Sequence, residues 1–160
     1  MYIVRKGEKE DLPQVFALIH ELAVYEKAPD EVTNTVQMME KDGFGTNPVF
    51  GFFVVEKEGD GAIIGTAIYY YRYSTWKGKR LYLEDYIITA SERGKGAGKL
   101  LFEAVLAKSL EENCTGMMWQ VLDWNEPAIK FYKKYGASFE EEWLNCHLQA
   151  EEIVAIVQNP

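Results

Sequence analysis

Seven residues, Arg93-Gly94-Lys95-Gly96-Ala97-Gly98-Lys99, constrain the fold more than any other stretch of this chain. They follow Leu81 to Thr89, where Leu83, Tyr86 and Ile87 give strand character. They precede Leu100, Leu101, Ala104, Val105 and Ala107, whose spacing predicts a helix to about Asn113, and then a short apolar strand, Met117 to Leu122. A strand, a glycine loop, a helix and a strand in that order form a crossover unit, with the loop at a helix N-terminus. Backbone N–H groups converge on an anion there, and the helix dipole adds to them. Arg93, Lys95 and Lys99 gather positive charge in a chain of net charge −8. A phosphate-bearing ligand is the natural guest of such a loop, and a merely solvated turn is the plain alternative.

The kind of phosphate is narrowed by what the loop lacks. A Walker loop needs Ser or Thr after Gly-Lys to hold magnesium, and Lys99 is followed by Leu100. A Rossmann fingerprint follows the opening strand of a βαβ unit and leads to an acidic ribose ligand, whereas this loop closes a meander. A pyrophosphate-bearing cofactor of another kind is left. With 25 acidic against 17 basic side chains, the surface is not one that grips nucleic acid or anionic lipid, and cationic partners fit better. Cys114, Cys146, His20 and His147 are too few and too scattered for a zinc site, so no metal and no disulfide are expected. No apolar run approaches the roughly 20 residues that span a bilayer, and the expected location is the cytoplasm.

The 160 residues read as one domain, 1–160, without repeat, low-complexity tract or linker. Tyr2 to Arg5 reads as a strand, and Leu12, Phe16, Ile19, Leu22 and Ala23 as a helix ending near Tyr25. A second helix is expected to start near Asn34 or Thr35 and stop before Gly43-Phe44-Gly45. Val49 to Lys57 and Ala62 to Arg72 read as strands joined by a Gly59-Asp60-Gly61 hairpin turn. Leu81 to Thr89 is the third member of this meander, after a turn-like Ser74 to Lys79. A short helix is expected over Pro127 to Lys134, ending at Gly136, and a last strand over Trp143 to Leu148, with a helical tail possible beyond it. The fold class is α/β, more closely α+β, with helices on both faces of the sheet.

At Arg93-Gly94-Lys95-Gly96-Ala97-Gly98 the chain resembles the GCN5-related N-acetyltransferases, whose signature is Arg/Gln-x-x-Gly-x-Gly/Ala. The resemblance extends through Asp42-Gly43-Phe44-Gly45, Tyr82-Leu83-Glu84-Asp85, Trp124-Asn125-Glu126-Pro127-Ala128, Phe131-Tyr132-Lys133 and Gly136-Ala137-Ser138, the pattern of the spermidine/spermine (diamine) branch. Within that branch, Tyr73-Ser74-Thr75-Trp76-Lys77-Gly78 and Val121-Leu122-Asp123-Trp124-Asn125 are more similar to the thialysine N-epsilon-acetyltransferases. The polyamine enzymes tend to carry an acidic residue where Ser74 stands. That departure removes a partner for a distal ammonium.

The resemblance implies a GNAT fold, a mixed and mostly antiparallel sheet split by a bulge, and acetyl-CoA as co-substrate without a metal. It implies that Tyr86, Ile87 and Ile88 meet the pantetheine arm through their backbone, that Gly94 to Lys99, with Arg93, hold the pyrophosphate, and that Asn125, Pro127 and Ala128 lie toward the cofactor. It makes Glu84 the group that takes the amine proton through water, Asp85 its neighbour at the amine, and Tyr132 the acid that protonates the departing thiolate. An amine near pKa 10.4 needs such a base, and a phenol near 10 is a suitable acid. In a regular strand Glu84 and Asp85 point to opposite faces, so one of them faces away unless a bulge re-aims it. Tyr132 also suits a packed aromatic cluster with Phe131 and Tyr135.

Tyr25 and Glu26 match positions lining the amine site, where Glu26 offers a carboxylate or serves as a plain surface residue. Ser74, Thr75, Trp76, Leu122, Asp123 and Glu141 complete the substrate set, Glu141 being chosen from Glu140-Glu141-Glu142 against a solvated acidic turn. Trp76, Trp119 and Trp124 are core or substrate wall. The expected reaction is direct acetyl transfer in a ternary complex to a primary amine of a small cationic molecule, a thialysine-like amino acid ahead of diamines and polyamines. A homodimer is implied, with no nucleic-acid or membrane partner. The rival readings are a protein-lysine acetyltransferase and a non-catalytic acyl-CoA sensor.

Overall fold

The computed structural model describes residues 1–59 and 61–158; Asp60, the centre of the expected Gly59-Asp60-Gly61 turn, lies outside them. Five strands among the described residues form one sheet: β1 (Tyr2–Lys6), β2 (Gly51–Lys57), β3 (Ile63–Ser74), β4 (Gly78–Ile88) and β5 (Met117–Trp119). Their spatial order is β1-β2-β3-β4-β5. The first four are antiparallel neighbours, and β5 runs parallel to β4. This is the mixed, mostly antiparallel sheet expected, a meander followed by one crossover. Among the described residues five α-helices accompany it, α1 (Leu12–Tyr25), α2 (Val36–Phe44), α3 (Ala97–Glu111), α4 (Glu126–Lys133) and α5 (Ala150–Gln158). The chain resolves into two compact units, the first ending at Gln120 and the second beginning at Val121.

In the first unit the apolar stripe of α1 sets one side of the core. Leu12, Val15 and Leu18, with Met39 of α2, pack on Phe52, Val54, Ile68 and Ile87 of the sheet. Pro13 sits in the first turn of α1, where its missing N–H costs nothing. The opposite side is built on α3, whose Ala97, Leu101, Phe102 and Val105 are fully buried. Phe102 meets Tyr86 and Trp119 edge-on, at centroid distances of 5.8 and 5.6 Å. Arg5 binds both oxygens of the Asp11 carboxylate at 2.6 and 2.8 Å and also Glu56, which ties β1 and β2 to the start of α1.

Two expectations are corrected. The second helix starts as predicted, with the Thr35 side chain accepting the Met38 N–H at 3.1 Å, but it runs on through Gly43 to Phe44. Gly43 is kept helical by packing, since a Cβ there would lie 2.7 Å from Cζ of Phe50. The strand expected over Trp143 to Leu148 does not form, and residues 137–149 contain neither helix nor strand. A strand needs a ladder partner, and among the described residues no strand pairs with that segment. The tail helix α5 is present, and β5 stops at Trp119, short of the expected Leu122.

Candidate active site

The glycine loop leaves β4 through a single turn of 3-10 helix, Ala90–Glu92, and enters α3. Gly94 and Gly96 take φ values of 75° and 96°, a left-handed conformation that other residues reach only under strain. No atom lies within 4 Å of a Cβ built at either, so the loop surface is open on that side. Gly96 is the N-cap of α3 and supplies no side-chain cap, which leaves the first-turn N–H groups without a side-chain acceptor. Tyr86 donates its hydroxyl to the Gly98 carbonyl at 2.6 Å and so pins the start of α3 to β4. These donors, with Lys95 and Lys99 exposed beside them, fit a diphosphate. Glu92 orders the base of the loop. It accepts the Tyr2 hydroxyl at 2.6 Å, Lys57 at 3.1 Å and Lys95 at 3.2 Å, and these bonds hold its carboxyl down to about 2.

The β4–β5 ladder covers only Leu81 to Leu83 against Met117 to Trp119. β4 then continues to Ile88 paired with β3 but not with β5, and it is here that its register changes. Tyr69 pairs with Leu83 while Ile68 pairs with Asp85, so Glu84 is an extra residue, a one-residue bulge. The consequence follows from which face each neighbour serves. Leu83 faces α3, because its partner Tyr69 stacks on Phe53 at 5.7 Å and feels the charges of Lys108 on α3 and of Glu112 at its C-cap. Tyr86, three residues later, faces α3 as well. Strict alternation forbids that, and the bulge resolves it: Asp85 and Ile87 turn to the α1 face with Ile68. Glu84 and Asp85 therefore both leave the α3 face.

Three carboxylates meet beside this bulge. The Asp85 carboxyl is pushed up to about 6, first by burial and then by the negative charges of Glu84 and Glu26. Glu26, at the end of α1, is itself raised by loss of water around its carboxyl. The Tyr70 and Tyr82 rings lie 5.0 Å apart across the β3–β4 ladder, and both phenols are raised by burial and by Glu84. The residues so assembled are an acidic cluster beside an aromatic pair, a setting that attracts and partly desolvates an ammonium.

Tyr25 joins this end of α1 to the loop, since the Arg93 guanidinium stands 4.9 Å from its ring centroid. Arg93 Nε also donates to the Ile88 carbonyl at 2.8 Å. Glu21, one turn before Tyr25, accepts the Thr89 hydroxyl and the Ala90 N–H, both at 2.8 Å, and lies 4.0 Å from Arg93. Sequence reasoning missed Glu21 because its partners are 68 and 69 positions away. Tyr70 was missed too, although the hairpin register that sets it against Tyr82 could have exposed it. Ser74, Thr75 and Trp76 stand at the β3–β4 hairpin tip, where the Ser74 hydroxyl oxygen accepts the N–H groups of Trp76 and Lys77 at 3.3 and 3.1 Å. Trp76 is 87% exposed, so it is no part of this chain's core.

The second unit carries the remaining candidates. Asn125 caps α4, its side chain accepting the Ala128 N–H at 3.3 Å, with Pro127 in the first turn. Leu122 and Asp123 lead into this cap, and the Leu122 carbonyl accepts the Asn125 N–H at 2.9 Å. Tyr132, on the same helix, is 5% exposed, and the Phe131 ring meets its ring edge-on at 5.5 Å. Glu141 is exposed in the segment without regular structure. Among the described residues no group of three or more His, Cys, Asp or Glu side chains is placed to hold a metal ion, and no helix is long and apolar enough to cross a membrane.

Known proteins resemble this chain in sequence and in fold. The chain is 36% identical to a thialysine N-epsilon-acetyltransferase of Bos taurus over 152 residues, 90% of this chain and 89% of that protein. It is 33% identical to the human spermidine/spermine N(1)-acetyltransferase-like protein 1, over 94% of this chain and 23% of that longer protein. A solved integron cassette protein from Vibrio cholerae shares the fold with a TM-score of 0.77 at 20% identity, covering 99% of this chain and 98% of the other. The model of the acetyltransferase (GNAT) family matches residues 13–137, which include β2 to β5, the glycine loop and α4, and the chain belongs to that family of N-acetyltransferases.

Proposed function

We propose that the chain is one N-acetyltransferase domain that moves the acetyl group of acetyl-CoA to the side-chain amine of a small cationic molecule, with thialysine-like amino acids ahead of diamines and polyamines. The observation that carries this reading is the bulge at Glu84, which sets two carboxylates together where β4 parts from β5, next to an open glycine loop. Bound acetyl-CoA supplies the acetyl group as an activated thioester. Gly94 to Lys99, with Arg93, hold its diphosphate, and the backbone of Tyr86, Ile87 and Ile88 receives its pantetheine arm. Asn125, Pro127 and Ala128 present the start of α4 to it.

Asp85 and Glu26 bind the incoming ammonium, with Tyr25 beside them. Glu84 accepts the proton through water as the amine nitrogen bonds to the acetyl carbon. Tyr132 gives its phenolic proton to the sulfur as the carbon–sulfur bond breaks. Ser74, Thr75, Trp76, Leu122, Asp123 and Glu141 are the outer contacts of the amine. The Ser74 oxygen is already engaged by its own turn, which leaves no carboxylate there for a polyamine's far ammonium. The working form is a cytoplasmic homodimer whose only ligands are small molecules.

The test is release of free CoA from acetyl-CoA with thialysine, lysine, spermidine, putrescine and a histone-tail peptide at matched concentrations. The expected order of kcat/KM places thialysine first. A peptide in first place would make the protein a protein-lysine acetyltransferase, and tight acetyl-CoA binding without turnover would make it a sensor. Glu84→Gln is expected to lower turnover at neutral pH by roughly 10²-fold, with recovery at higher pH. Tyr132→Phe is expected to lower kcat about as much while acetyl-CoA binds as before; equal losses in both would count against an acid.

A further inference from the structure

Two arginines of the β3–β4 ladder lack the carboxylate that several other cations of the chain reach. Arg72 and Arg80 lie directly opposite each other in the β3–β4 ladder, a like-charge pairing that is unfavourable unless an anion sits between them. Lys57, Lys79, Lys95 and Lys108 each reach a carboxylate. Among the described residues Arg72 hydrogen-bonds only to the thioether of Met118, at 2.8 Å, and Arg80 only to the Met117 carbonyl, at 3.0 Å, with its Nε buried and unbonded. Neither arginine forms an ion pair among the described residues.

Their position relative to the carboxylates gives this meaning. Arg72 and Arg80 share a face with Tyr70 and Tyr82, two residues along each strand. The Arg72 guanidinium leans back toward that pair, 6.0 Å from the Tyr82 ring centroid. Both phenols lie within the electrostatic reach of Glu84 and of Arg72. Along β4, Tyr82 precedes Glu84 by two residues, a separation of about 7 Å. A basic amino acid whose amine and carboxylate are five or six single bonds apart spans about the same length.

Resting on the function proposed above, we infer that Arg72, supported by Arg80, is the specificity-determining residue of a carboxylate subsite: it receives the α-carboxylate of a basic amino acid whose side-chain amine lies at Glu84 and Asp85. The Tyr70–Tyr82 pair flanks the aliphatic stem between them. A diamine placed in the same way brings its second ammonium against two guanidiniums, so the subsite selects amino acids by attraction and excludes polyamines by repulsion.

The test compares two substrates that differ only in the carboxylate, thialysine and bis(2-aminoethyl) sulfide, on the wild type, Arg72→Gln and Arg72→Lys. The ratio of their kcat/KM values is expected to favour thialysine in the wild type and to fall roughly 10- to 100-fold in Arg72→Gln, through the KM of thialysine, with Arg72→Lys between. An unchanged ratio in Arg72→Gln, or equal losses on both amines, overturns the subsite. Should the wild type acetylate neither amine, the acetyltransfer reading fails on its own. Calorimetric binding of the same two amines then decides: thialysine affinity lost in Arg72→Gln upholds the subsite, and affinity equal for both amines or unchanged in the variant overturns it.

Discussion

Burial raises the Asp85 carboxyl from an ordinary 3.8 to about 6, with the charges of Glu84 and Glu26 adding to the effect. The folded protein therefore binds this proton more tightly than the unfolded chain does. Between pH 4 and pH 6 Asp85 is ionised when unfolded and protonated when folded, so stability falls as pH rises through that window. Above it, the deficit is at most about 3 kcal/mol. Asp85→Asn removes the titration, and urea denaturation is expected to show the variant gaining about 1–3 kcal/mol on the wild type between pH 4 and pH 8. No change in the difference between the two proteins would place the carboxyl at an ordinary value. The kcat/KM profile of the wild type is expected to rise through about pH 6 as Asp85 ionises, and that limb should vanish in Asp85→Asn. The residue pair itself was legible in the sequence, where Glu84 and Asp85 stood out as adjacent acids. Their placement was not, because which face a strand residue takes depends on the partner strand, and the bulge exists only as a mismatch between Ile68/Tyr69 and Leu83/Asp85.

At the scale of elements, those governed by local chemistry read well and those governed by distant partners did not. α1 carries its own apolar stripe and its own proline at the start, and α3 follows three glycines at alternate positions; both were legible to within a few residues. α2 outran its expected end because Phe50, outside the helix, packs on Gly43. Residues 143–148 have the composition of a strand, and composition does not supply a pairing edge. The glycine loop is the element that joins fold to function, and its geometry makes a separable prediction. Gly96 sits at φ 96° with open space where a side chain would project, so Gly96→Ala strains the backbone without a clash. A cost of about 1–2 kcal/mol is expected, drawing the loop away from its anion-binding shape. The KM for acetyl-CoA should rise roughly 5- to 20-fold with the amine KM nearly constant, since none of the proposed amine contacts lies on the loop. A variant that loses both affinities alike would show that the loop supports the whole sheet rather than the cofactor.

At the scale of the whole molecule, the second unit presents apolar side chains that the described chain leaves uncovered. Trp143 is 76% exposed and Leu144 87%, and Ile153, Val154, Ile156 and Val157 of α5 are all exposed in one short helix. Single exposed apolar residues are ordinary, but four in one short helix mark a surface that associates. The acidic surface, at net charge −8, disfavours nucleic acid and anionic lipid as the cover, which leaves an apolar protein face. The proposed homodimer supplies one: a second copy brings the same apolar set, and a two-fold arrangement lets each cover the other. Light scattering after size exclusion is expected to give twice the 18.4 kDa chain mass. Leu144→Glu, placed where no intrachain packing is lost, should shift the mass to one chain by setting a charge in the interface. Thermal unfolding supplies the complementary reading, because the Tm of a dimer rises with protein concentration and that of a monomer does not. A single-chain mass for the wild type, with a Tm independent of concentration, would remove the dimer and return these side chains to solvent.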